Sequence, residues 1–146
     1  PPWASRVTVF EREVKGGYER VQSRLRIDRF TGGAYPGALF EQQPYFGKAD
    51  THVKIEVELR DPEETHIGLL LHLLKDLWTS DLPLGGEASV GRGRLKGLCA
   101  KLVLKNPGAA DETWTIEAKE NGRVTITGKT DLLNQYAQSV EAYHGA

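Results

Sequence analysis

Methionine is absent from the 146 residues, and because a natural start supplies one, a trimmed or engineered chain is expected. Cysteine occurs once, at Cys99, which excludes an intrachain disulfide and a cysteine-based zinc site. Set between Leu98 and Ala100 in a strand-like run, it reads as a small buried hydrophobe. Long apolar runs are also missing: Ile67 to Leu74 is broken by Gly68 and His72 and falls far short of the ~20 residues of a bilayer span. Pro1-Pro2-Trp3 has neither the basic nor the apolar region of a signal peptide, so a cytoplasmic location and no membrane contact are expected. Net charge is only −1, which argues against indiscriminate polyanion binding.

What is present is the composition of one soluble globular domain over residues 1–146, with 39% hydrophobic and 27% charged residues. The charges are unevenly placed. Arg6 to Arg29 carries seven cations against four acids, and Arg92 to Lys105 carries five cations and no acid. Between them, Asp50 to Glu64 holds six acids against Lys54 and Arg60. This is the pattern of a basic face on a neutral body.

Residues 6–14 and 18–27 read as extended arms joined through Lys15-Gly16-Gly17 as a β-hairpin. Asp28 to Phe46 holds Gly32, Gly33, Pro36, Gly37 and Pro44, which predicts an irregular loop or a strand edge with turns. Some of its aromatics, Phe30, Tyr35, Phe40, Tyr45 and Phe46, are expected in the core, and any left exposed beside Arg29 suit stacking on unpaired bases. Thr51 to Leu59 alternates as a strand with one buried face. Asp61-Pro62-Glu63-Glu64 predicts a helix capped by Asp61, running on Ile67, Leu70, Leu71, Leu74 and Leu77 to about Trp78. A strand over 94–104 follows, then a hairpin of 113–118 and 123–127 about Asn121-Gly122 in a primed turn, then a helix capped by Thr130 to about Tyr143. The order predicts an α+β domain of the split βαβ or ferredoxin-like kind, an antiparallel sheet with two helices.

The segment Leu82 to Gly97 contains five glycines and three cations in sixteen residues. Glycines let successive N–H groups converge on an oxyanion, so Gly85, Gly86, Gly91 and Gly93 with Arg92, Arg94 and Lys96 form a candidate phosphate cradle. A tight helix-to-sheet connection explains the glycines alone; the alternating arginines, with no acid nearby, turn the reading toward binding. A P-loop does not fit, because Arg92-Gly93 follows Gly91 and the order is helix then strand. Nor does Gly86 to Gly91 match the hydrolase pattern around Ser89. His66 and His72 stand six apart, wrong for a helical zinc pair, so the histidines are expected at the surface or satisfied, with no metal and no cofactor. Asp28, among Arg26 and Arg29, is read as a salt bridge or turn cap rather than a catalytic group.

Arg26 to Glu41, the helix to Trp78 and Leu84 to Arg94 together resemble the RAMP superfamily of CRISPR-associated proteins, over roughly residues 20–105. The resemblance implies an RRM-related, ferredoxin-like fold whose Gly-rich loop contacts guide RNA, with an extended hairpin or thumb, to which Arg6 to Ile27 is assigned. It implies a non-catalytic subunit of a type III effector complex that holds CRISPR RNA through the Gly-rich loop and Arg26, Arg29 and Phe30. Other effector subunits are the implied partners, or a second copy completing the sheet. The first strand, first helix and aspartate loop of the family have no counterpart before Arg6, so the chain is expected to be the C-terminal half of a module or a shortened member. Two other readings are a CRISPR repeat-processing endoribonuclease, which needs a base such as His52 or His66 beside the RNA, and a module whose basic face meets an acidic protein.

Overall fold

In the computed structural model, which describes residues 4–141, the chain from Val7 to Leu59 forms one antiparallel ribbon that reverses at Asp28–Gly33. Its pairs are nested. β1 (Val7–Phe10) pairs β6 (Glu56–Leu59), Lys15 bridges His52, β2 (Tyr18–Glu19) pairs β5 (Tyr45–Phe46), and β3 (Gln22–Ile27) pairs β4 (Ala34–Gln42). The hairpin expected about Lys15-Gly16-Gly17 is therefore replaced: residues 6–27 are one arm of the ribbon and residues 34–59 the other. Gly17 lies inside that arm and donates its N–H to the Tyr45 hydroxyl at 2.9 Å.

Of the two expectations for residues 28–46, the irregular loop does not hold and the strand with turns does. Its breakers are absorbed by a register shift, where Leu25 faces Leu39 but Ile27 faces Ala34, leaving Pro36 and Gly37 in a bulge. Pro36 lies between the registered residues Ala34 and Leu39, so its missing N–H falls where the ladder is already interrupted.

The boundary between two structural units falls at Arg60/Asp61. No described residue of the first unit is buried. The aromatics expected in its core are exposed or half-buried, and the face of residues 51–59 expected to be buried is not: Val57 lies exposed opposite Val9, itself 66% exposed.

The second unit holds the core. α1 (Glu64–Trp78) ends where the apolar spacing predicts, but Glu63 caps it rather than Asp61. Asp61 sits at φ 46°, outside the extended geometry a cap needs, whereas Glu63 is extended and its N–H donates to His66 Nδ1 at 3.2 Å. β7 (Cys99–Leu104), β8 (Glu112–Ala118) and β9 (Val124–Thr127) form an antiparallel sheet in that order. α2 (Thr130–Ser139) closes the unit, with Lys129 at its cap and Thr130 already helical. It ends at Ser139 with Val140 as its C-cap, short of the end predicted near Tyr143; Pro1–Trp3, Tyr143 and His144 lie outside the described residues.

The β8–β9 turn is not primed: Gly122 alone takes positive φ, and its N–H reaches Lys119 O at 2.9 Å. Lys119 N–H closes on Arg123 O at 2.8 Å, so a type I turn with a glycine bulge makes the same hairpin. Trp114, Leu133 and Tyr136 form the core, with Ile67 and Leu71 of α1 and Leu102 and Leu104 of β7 against them. A Cβ on Gly68 would stand 2.1 Å from Tyr136 O, which is why an apolar helix carries glycine there. Cys99 is exposed, not buried: β7 alternates, and Ala100, Leu102 and Leu104 occupy its inner face. The class is thus α+β with antiparallel sheets and two helices, and β6 and β7, which flank α1, belong to different ladders.

Candidate functional site

The ribbon separates its side chains by strand alternation. On one face of β3 and β4, Arg24 stands opposite Phe40 and the Arg26 guanidinium lies 5.5 Å over the centre of the Tyr35 ring. The other face carries Leu25 opposite Leu39, with Ile27 beyond them. Sequence reading misses Arg24 as a site member, and names Tyr35 and Phe40 only among aromatics that suit stacking if exposed, as both are. The signal for Arg24 is the alternation of Gln22 to Ile27, which sets both arginines on the face away from Leu25 and Ile27.

At the tip, the Asp28 carboxylate accepts the N–H groups of Phe30 at 2.7 Å and Thr31 at 2.9 Å, and Asp28 N–H bonds Gly33 O at 2.8 Å. Asp28 is a turn cap, one of its two expected roles. The turn pins the backbone and pushes the Phe30 side chain outward, leaving it 96% exposed beside exposed Arg29.

Hydrogen bonds from Thr31 and then Phe30 hold the Asp28 carboxyl below its ordinary value. A depressed folded pKa means the turn is fully supported above the unfolded value and loses that support as pH falls through the folded one. Accordingly, the Phe30 and Thr31 amide resonances are expected to titrate together below the ordinary aspartate range. In Asp28→Asn that titration disappears; its persistence there would assign it to another group.

In the second unit, the Gly-rich segment closes on itself, with Leu84 N–H donating to Gly93 O at 2.9 Å. Gly93 takes φ +73°, and a Cβ there would meet Leu84 O at 1.9 Å; a Cβ on Gly97 would meet the Trp78 ring at 1.9 Å. These two glycines serve close packing. Gly85, Gly86 and Gly91 face open space. Between them a 3₁₀ turn, Ala88–Val90, directs the N–H groups of Val90 and Arg92 to Glu87 O and that of Gly91 to Ala88 O. Those three N–H groups are therefore engaged within the loop rather than converging on an open cradle.

The cations of the loop differ. The Arg92 guanidinium is ion-paired with the Glu87 carboxylate, so the expectation of no acid near it fails. Glu87 lies five residues earlier and escapes a count that begins at Arg92. Arg94 is exposed, donating through Nη1 to Ser80 O at 2.6 Å, and Lys96 is exposed. The structure thus gathers Gly85, Gly86, Gly91, Arg92, Arg94 and Lys96 on one loop, and Arg26, Arg29 and Phe30 on one hairpin end.

Two of the described histidines have structural tasks: His66 caps α1, and His72 Nε2 lies 3.1 Å from Ala137 O of α2. Nδ1 of His52 lies 3.1 Å from Asp50 O. Among the described residues no group of three His, Cys, Asp or Glu is placed to hold a metal, and no helix is long and apolar enough to cross a membrane.

Both surfaces fall within the part of the chain that matches a family model. The model of the RAMP superfamily covers residues 1–96, which takes in the ribbon, α1 and the Gly-rich loop through Lys96. No curated protein and no solved structure matches.

Proposed function

The chain belongs to the RAMP superfamily, and from that premise we propose that it holds CRISPR RNA by its phosphate backbone within a type III effector complex in antiviral defence. The observation that carries this reading is the hairpin end, where Phe30 is almost fully exposed on a pinned turn and arginines alternate with aromatics along one face. Exposed rings stack on bases that a single strand leaves open, and arginines supply charge to the phosphates beside them. Gly85, Gly86 and Gly91 of the loop let the backbone of a ligand approach, while Arg94 and Lys96 neutralise phosphates. Other effector subunits are the natural partners, and the open edges of the sheets offer a second copy strand addition as well.

Phe30→Ala tests this reading. One base–aromatic stack is worth about 1–3 kcal/mol, so affinity for a labelled single-stranded repeat RNA is expected to fall roughly fivefold or more in fluorescence anisotropy. The salt dependence should stay unchanged, because no phosphate contact is removed. Wild-type affinity in the variant would remove the tip from the interface, and a defined RNA cut in the presence of chelator would point to the endoribonuclease reading instead.

A further inference from the structure

Glu87 and Arg92 form an ion pair inside the candidate phosphate loop, with both side chains only about a quarter exposed, 25% and 24%. The backbone supports the pairing. Arg92 N–H donates to Glu87 O at 3.4 Å and Val90 N–H donates to the same oxygen at 3.1 Å, so the two residues face each other across the 3₁₀ turn. Glu87 takes φ 61°, a left-handed conformation uncommon for a residue with a side chain, and it lies at the point where the loop turns into the short helix.

We propose that Glu87 is an internal anion that occupies Arg92 until an RNA phosphate displaces it, so that the loop binds RNA below its full capacity at rest. The inference rests on the reading of this loop as an RNA-backbone contact. Its physical basis is competition: a guanidinium that already holds a carboxylate contributes to phosphate binding only the difference between the two partners. In the resting loop Arg94 and Lys96 are the cations that meet RNA first. Arg92 follows when its carboxylate partner is released, which makes Glu87 the residue that sets affinity and the number of phosphates neutralised.

The test uses the full chain and a labelled single-stranded RNA, titrated over a series of salt concentrations. Glu87→Gln keeps the size of the side chain and removes its charge; it is expected to tighten binding about threefold to tenfold and to steepen the salt dependence by about 0.7, one phosphate on a single strand. In an Arg92→Ala background the same change should do nothing, because the competed cation is gone. Asp81→Asn controls for general removal of negative charge near the loop. Equal tightening by Asp81→Asn, or tightening by Glu87→Gln that survives in Arg92→Ala, would overturn the latch in favour of diffuse repulsion. Unchanged or weaker binding by Glu87→Gln, while Arg94→Ala still weakens binding, would also overturn it and leave the RNA reading standing. If Arg94→Ala and Lys96→Ala have no effect either, the RNA contact itself fails.

Discussion

Replacing Arg92, Arg94 and Lys96 together by alanine is expected to weaken single-stranded RNA binding by about two orders of magnitude and to flatten its salt dependence by about 1.4, two phosphates at about 0.7 each, because Arg92 is already offset by Glu87 in the wild-type loop. The three cations stand within five residues of one loop that is closed by the Leu84 to Gly93 hydrogen bond, so they can neutralise neighbouring phosphates of one strand. The loss should be similar for unrelated RNA sequences, because phosphate contacts position the chain without reading bases. Circular dichroism should be unchanged, since none of the three side chains belongs to the core. A variant that folds and binds with the wild-type affinity and slope would end the role of this loop. Comparison with Phe30→Ala separates the two surfaces: the loop variant changes the slope, whereas the tip variant changes affinity at constant slope.

Trp114→Ala is expected to destabilise the second unit by about 3–5 kcal/mol. Trp114 is 2% exposed, meets Tyr136 edge-on with ring centres 6.5 Å apart, and donates its Nε1–H to Lys129 O at 2.9 Å, just before α2. Truncation removes the largest side chain of the core and leaves that carbonyl without its indole donor. Urea unfolding followed by far-ultraviolet circular dichroism should show an earlier midpoint. Trp114→Phe, which keeps an aromatic ring and loses the donor, should fall between wild type and alanine. A loss under about 1 kcal/mol for the alanine variant would mean that the contacts of β8 and α2 are not what holds this unit together.

Much of the second unit is legible in the sequence because its signals are local. The 3.6-residue spacing from Ile67 onward places α1 and the alternation about Asn121-Gly122 places the β8–β9 hairpin, while in the first unit Asp28 likewise announces its turn through N–H groups two and three residues away. Errors in the second unit are shifts of boundary, from two residues where Glu63 replaces Asp61 to five where the strand expected from residue 94 begins at Cys99. The ribbon reads differently. Gly16-Gly17 gives a strong hairpin signal, yet the strand beside it, β1, pairs with β6 some fifty residues on, and the breakers Pro36 and Gly37 fit into a bulge that exists only because β3 lies alongside. Exposure was equally opaque: Cys99 and the aromatics of residues 30–46 have the composition of a core, but a two-stranded ribbon and the outer face of β7 do not bury them.

By itself the sequence determined the element types of the second unit, the turn at Asp28, the placing of a Gly-rich cationic loop between helix and strand, and the family. Helical spacing, turn chemistry and motif order act over a few residues and survive whatever the rest of the chain does. Only the tertiary structure decided which arms of the ribbon pair, that Phe30 stands outward at its tip, that Gly93 and Gly97 serve packing while Gly85, Gly86 and Gly91 stay open, and that Arg92 is held by Glu87. Each of these depends on groups that folding brings together, and the energy of a backbone pair or an ion pair depends on distance in space, which residue order alone does not fix.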